Sequence, residues 1–125
     1  MISMCKMVPY DENGYVAEIK LPHIKNITEQ AKKTKHIQRI MLFGSSLEER
    51  CTGDSDIDID IAVFGDKTKG SYIDSKEFRG FKSGLFKFDI DQAYDVLYFK
   101  EKADYKDEIM IDIRNGLEIF RRTAE

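Results

Sequence analysis

The stretch Leu42–Asp66 reads LFGSSLEERCTGDSDIDIDIAVFGD and decides how the rest of the chain is interpreted. The stretch begins at the end of an apolar run, which a Gly-Ser pair follows, and a row of aspartates begins about ten residues after that pair. Because side chains alternate across a β-strand, these aspartates are predicted to share one face and the intervening isoleucines to face the core. The aspartates are Asp56, Asp58 and Asp60.

Carboxylates in a row on one strand face repel one another. Alternate residues of a strand lie roughly 7 Å apart along the backbone, so neighbouring anions weaken the strand. Divalent metal removes the repulsion, since Mg²⁺ accepts one or two carboxylates and completes its shell with water and substrate phosphate. Two such ions can clamp the attacking and leaving oxygens of a nucleotidyl transfer. A solvated edge strand with its acids in water is the competing interpretation.

Two common ion- and phosphate-binding motifs do not fit this region. An EF-hand loop counted from Asp56 needs glycine and glutamate where the chain has Ile61 and Lys67. The nearest approach to a P-loop, Gly65–Gly70, is followed by Ser71 rather than by lysine. Phosphate binding is therefore not explained by either motif.

The Gly-Ser pair offers a different phosphate site. Gly44 ends an apolar run, and without a Cβ its backbone can come close to a ligand. Ser45 adds a hydroxyl that can reach a phosphate oxygen. A strand, a Gly-Ser turn, a loop and a carboxylate strand would place a phosphate-binding turn beside a metal site.

Periodicity predicts helices interleaved with a small sheet, which is an α/β (α+β) fold with a small mixed sheet flanked by helices. We expect one domain over residues 1–125, with residues 1–23 as an N-terminal extension or edge strand. Residues 66–84 are interpreted as a mobile connection with a helical turn near Ser75–Phe81. The predicted strands are Tyr15–Leu21, which Pro22 ends, Arg39–Phe43, Ile57–Phe64 and Tyr94–Phe99; the predicted helices begin at Ile24 and Asp104.

Composition limits the classes of partner. The 125 residues carry a net charge of -3, which gives no overall basic field for nucleic acid. The two cysteines lack zinc-ligand spacing. No apolar run reaches the length of a signal peptide or a transmembrane helix. A cytoplasmic protein without a membrane or nucleic-acid partner is expected.

The motif Gly44-Ser45, ten residues, then Asp56-Ile57-Asp58 resembles the signature of the minimal nucleotidyltransferases in the DNA polymerase β-like superfamily. The likeness extends over roughly residues 25–122 and implies a polymerase β palm-like fold. One departure is that the acidic repeat runs one step longer, so Asp58 with Asp60 also satisfies the pattern. A third carboxylate on a later strand is expected. Asp95 is the candidate, and Asp89 and Asp91 are its rivals.

The resemblance implies a chemistry. Asp56, Asp58 and Asp95 would hold two Mg²⁺ ions, and Gly44 and Ser45 would bind the phosphates of ATP or another NTP. An NMP, AMP if ATP is the substrate, would pass to an acceptor hydroxyl, with Asp95 as a general base. A separate helical partner of the HEPN type is implied as acceptor, as in toxin–antitoxin pairs. The alternative is a non-catalytic module of the same fold that neutralises or binds a partner protein by contact.

Overall fold

A four-stranded sheet carries the candidate site. The computed structural model describes residues 6–10, 14–44, 58–102 and 108–123. The strands lie in the order β5-β4-β3-β6, where β3 is antiparallel to β4 and β6, and β4 is parallel to β5. The predicted small mixed sheet is therefore confirmed. Its strands are β3 (Ile37–Phe43), β4 (Ile59–Gly65), β5 (Tyr94–Lys100) and β6 (Leu117–Arg121).

Shorter elements surround this sheet. A separate two-stranded hairpin precedes it, and a 3₁₀ turn (Glu18–Lys20) joins that hairpin to the first helix. In the described part of the chain, no helix is long and apolar enough to cross a membrane. The hairpin strands are β1 (Met7–Tyr10) and β2 (Gly14–Ala17), and the helices are α1 (Leu21–Lys32), α2 (Lys69–Tyr72), α3 (Lys76–Phe88) and α4 (Ile109–Arg114).

The two faces of the sheet pack against different helices. On one face, Ile59 and Ile61 of β4 are fully buried in the main core with residues of α1 and α3. On the other face, Ala62 and Phe64 pack in a smaller cluster with residues of α4. Alternation places Asp60 on this second face. The predicted separation of isoleucines from aspartates therefore holds for the described part of β4.

Two sequence predictions near the N-terminal helix and after β4 were wrong. The first extended run is shorter than predicted, because β2 ends at Ala17 and Pro22 lies in the first turn of α1. Proline is tolerated there, since its missing N–H has no helical partner at that position. Residues 66–84 are not a mobile connection but contain α2 and most of α3, so only the helical turn predicted near Ser75–Phe81 is confirmed. Phe78, Phe81 and Leu85, spaced three and four apart, bury one face of α3.

The helix predicted from Asp104 is confirmed only over α4, its first residues lie outside the described residues, and its C-terminal part was wrong. Helix α4 ends at Arg114, and Leu117–Arg121 forms β6 against β3 instead. Gly116 lies between them, and a Cβ there would come closer than 3.0 Å to the carbonyl oxygen of Leu42. The apolar residues at helical spacing are thus divided between a helix and an edge strand.

Substitution of Gly116 with alanine should destabilise the protein by about 3 kcal/mol, because the new methyl group would collide with strand backbone that has little room to move. Gly80→Ala is the matched control, since nothing lies within 4 Å of a Cβ at that position of α3. The control should be neutral or stabilising by up to about 1 kcal/mol. Urea unfolding of both variants measures the difference, and equal stabilities would contradict the close approach at Gly116.

Candidate functional site

Two aspartates from different strands lie beside each other on the second face of the sheet. In the parallel pairing of β4 and β5, Asp60 is the register partner of Asp95. Adjacent strands are about 4.8 Å apart, so carboxylates in register can share a cation. Asp58 lies just before β4 and is exposed, as is Asp95, whereas Asp60 is half-buried. The sheet therefore brings together acids that are far apart in sequence.

Gly44, directly after β3, lies next to the Asp60 carboxylate. It follows Phe43, which is the register partner of Asp60 across the antiparallel pair. Its φ is +79°, a left-handed conformation that favours glycine. A Cβ on Gly44 would fall closer than 3.0 Å to Oδ2 of Asp60. The close approach expected at this glycine is thus made by a carboxylate of the chain itself.

The electrostatics of Asp60 indicate a site that a cation would stabilise. The pKa of Asp60 is raised to about 6, chiefly by burial and in smaller part by the nearby charges of Asp95 and Asp58. Among the described residues, no lysine, arginine or histidine forms an ion pair with any of these three acids.

The donor chemistry fits Mg²⁺, because carboxylate oxygens are the ligands that this hard cation prefers. The described ranges alone do not assemble a complete metal site, since no group of three His, Cys, Asp or Glu side chains within them is close enough to hold an ion. Asp60 and Asp95 are therefore two carboxylates that the sheet itself brings together.

In the absence of divalent cations, Asp60→Asn should stabilise the protein at pH 7.5. The folded-state pKa of about 6 lies above the ordinary aspartate value of 3.8, so stability falls as pH rises from about 4 to about 6 and stays lower above that range. After allowing for solvent screening at this half-exposed side chain, the gain is about 1 kcal/mol. It should vanish near pH 4. Urea unfolding at the two pH values measures it, and a variant less stable than wild type at pH 7.5 would contradict the assignment.

The other predicted site residues fall in three places. Ser45 and Asp56 lie outside the described residues, so their roles stay predictions. Asp89 follows α3, and its carboxylate lies 2.8 Å from Nε2 of His23, a hydrogen bond that lowers the pKa of Asp89. Asp91 is exposed in the loop before β5. Of the three rivals for the third carboxylate, Asp95 alone shares a strand register with Asp60.

Local sequence pattern does not predict the buried polar contact between the 3₁₀ turn and the loop before β5. Lys20 and Gln92 are each only 2% exposed, and the ammonium group of Lys20 donates a hydrogen bond to Oε1 of Gln92. Lys20 was assigned to a strand, and no pattern in YVAEIKL distinguishes it from a surface lysine. The pairing of residues 72 positions apart could not be read from local periodicity.

Comparison with known proteins adds one match. The model of the family described as "Polymerase beta, Nucleotidyltransferase" matches residues 25–124. The matched range begins within α1 and includes the whole four-stranded sheet, with Gly44, Asp60 and Asp95. Lys20 and His23 precede it. The comparison with curated proteins gave no match.

Proposed function

The chain belongs to the polymerase β nucleotidyltransferase family, and we propose that it transfers a nucleoside monophosphate, AMP from ATP, to an acceptor hydroxyl. The observation that carries this proposal is the register that sets Asp60 beside Asp95, with Gly44 against the Asp60 carboxylate. It supplies anionic ligands from two strands at one edge of a sheet. A nucleotidyltransferase needs such ligands to bind metal and triphosphate together.

Each side chain has a proposed role. Asp60 and Asp95 would supply ligands to a divalent cation, with Asp58 and the phosphates completing its surroundings, and the cation would offset the charge of the triphosphate. Asp95, exposed at its strand, also accepts the proton of the acceptor hydroxyl. The acceptor oxygen forms a bond to the α-phosphorus, and the bond from that phosphorus to the pyrophosphate oxygen breaks. Gly44 and Ser45 are proposed to bind the β- and γ-phosphates.

The strand register favours Asp58 with Asp60 as the acidic pair. Beyond Asp60, the residues of β4 from Ile61 to Gly65 are all buried, so Asp60 is the last acid before the strand enters the core. Asp60 also faces Asp95 directly. The pair of Asp56 with Asp58, which matches the spacing of ten residues after Ser45, is the alternative that substitution can test.

A partner protein is the proposed acceptor. Helix α4 covers the second face of the sheet through Met110 and Ile113, while Ile111 on the same helix is 60% exposed. Ile109 of the same helix is exposed as well, so α4 offers apolar side chains for contact with another protein beside the carboxylates. We propose a helical partner of the HEPN type, with a side-chain hydroxyl that receives AMP.

Isotope position tests the reaction class. The protein is incubated with Mg²⁺ and ATP labelled either at the α- or at the γ-phosphorus, together with proteins that copurify with it. Label incorporated from α-labelled ATP alone is expected, because AMP transfer releases the γ-phosphorus in pyrophosphate. Incorporation from γ-labelled ATP would show phosphoryl transfer instead. A copurifying protein that takes up neither label would favour a module that acts by contact.

A further inference from the structure

We propose that the segment before the family match positions the third carboxylate. Lys20 and His23 form hydrogen bonds to the loop between α3 and β5. These bonds fix the position of Asp95 beside Asp60. Both residues precede residue 25, where the family match begins. The inference rests on the proposed function, in which the two aspartates share a cation. Lys20, His23 and Gln92 are therefore positioning residues.

The first connection leads from Lys20 to the start of β4. The Lys20 ammonium donates to Oε1 of Gln92 at 2.6 Å, and the Gln92 amide nitrogen donates to the carbonyl of Ala93 at 2.7 Å. The same carbonyl accepts the backbone N–H of Ile59 at 3.0 Å. Ile59 directly precedes Asp60, and Ala93 lies two residues before Asp95. Three successive hydrogen bonds thus join the end of the 3₁₀ turn to the strand pair that carries the acids.

The second connection fixes the beginning of the loop. Nε2 of His23 lies 2.8 Å from Oδ2 of Asp89, and the His23 ring meets Phe88 edge-on with centroids 5.5 Å apart. Within the loop, the Asp89 side chain accepts from the backbone N–H of Asp91, and its carbonyl accepts from that of Gln92. The loop is therefore held at both ends by α1 or the turn before it.

The burial of Lys20 suits a role in positioning the loop rather than in stabilising the fold. A lysine is rarely buried unless it is paired, and apolar replacements of buried ionic groups are often neutral or stabilising. An apolar pair of similar volume can therefore fill the same space. The polar pair contributes directional contacts, because hydrogen bonds to the Ala93 carbonyl fix the position of the loop more precisely than apolar packing does. Outer contacts of this kind typically change metal affinity by about 10- to 100-fold.

The test compares two double variants of the full chain. Lys20→Met/Gln92→Leu replaces both polar partners with apolar groups of similar size. Arg39→Met/Glu101→Leu is the matched control, because it removes a two-bond ion pair from the opposite end of the same sheet. For each protein, we would measure the melting temperature, the exchange rate of the Ile59 amide hydrogen by NMR, and the Kd for ATP with Mg²⁺.

The first variant should keep its melting temperature, exchange the Ile59 amide at least about 10-fold faster, and bind Mg²⁺ with ATP about 10- to 100-fold more weakly. The control should leave the exchange rate and the Kd unchanged. If the first variant does not fold, His23→Phe replaces it. This variant keeps a ring against Phe88, removes the bond to Asp89, and should weaken binding about 10-fold.

The outcomes separate the two proposals. If wild type binds Mg²⁺ with ATP and the Lys20 variant binds as tightly as the control, the positioning role is wrong and the proposed function stands. If wild type does not bind, the proposed function fails. The Ile59 exchange rate then decides whether the hold on the loop exists, and an unchanged rate overturns it.

Discussion

Asparagine in place of Asp60 or Asp95 should lower the proposed AMP transfer at least about a thousandfold while the protein stays folded. Each substitution keeps the size of the side chain but removes one anionic ligand from the register pair. Loss of a ligand or base at the reacting centre typically costs this much or more. The measurement is the initial rate of incorporation from α-labelled ATP, with circular dichroism to confirm folding.

Two further variants make this result specific. Asp91→Asn is the control, because that carboxylate is exposed in the loop before β5, and its rate should stay within about 2-fold of wild type. Asp56→Asn distinguishes the two acidic pairs and should retain far more activity than Asp60→Asn. If Asp56→Asn is inactive and Asp60→Asn is active, the pair is Asp56 with Asp58, and the assignment from strand register is wrong.

Gly44→Ala should destabilise the protein by about 3 kcal/mol and weaken binding of Mg²⁺ with ATP about 100-fold. Two causes combine at this position. The backbone has a φ of +79°, which alanine adopts at a cost of about 1 kcal/mol. The new methyl group would also collide with Oδ2 of Asp60, so the carboxylate must move away from Asp95. Urea unfolding and calorimetry measure the two effects.

A double-mutant cycle separates these causes. In an Asp60→Ala background the carboxylate is gone, so Gly44→Ala should cost only the backbone strain of about 1 kcal/mol. Gly70→Ala is a second control, because nothing lies within 4 Å of a Cβ there. An equal cost of Gly44→Ala in the wild-type and Asp60→Ala backgrounds would show that the glycine does not make room for the carboxylate.

Local pattern was enough to predict the sheet that holds the site. The alternation of Ile59, Asp60 and Ile61 gave both the strand and the face of each side chain, because a strand with one apolar face has only one favourable orientation. The end of β3 just before Gly44 was predicted because glycine interrupts the apolar run, and the structure adds that a Cβ at Gly44 would meet the Asp60 carboxylate. The fold class and the family followed from these residues.

Long-range contacts explain what local pattern missed. Leu117–Arg121 has apolar residues at spacing that suits a helix, but pairing with β3 offers backbone hydrogen bonds and burial that a helix extension would not. The proposal that Asp60 belongs to the acidic pair rests on the register between β4 and β5, which local sequence pattern does not give. Lys20 became informative only when the structure showed it buried against Gln92.

The central claim is that Asp60 and Asp95 form part of a cation-dependent nucleotide site. The most direct measurement is calorimetric titration of ATP into the wild-type protein and into Asp60→Asn/Asp95→Asn, each with and without Mg²⁺. We predict that wild type binds ATP only with Mg²⁺ and that the double variant does not bind. Equal binding by the two proteins, or binding by wild type that does not require a divalent cation, would contradict the claim.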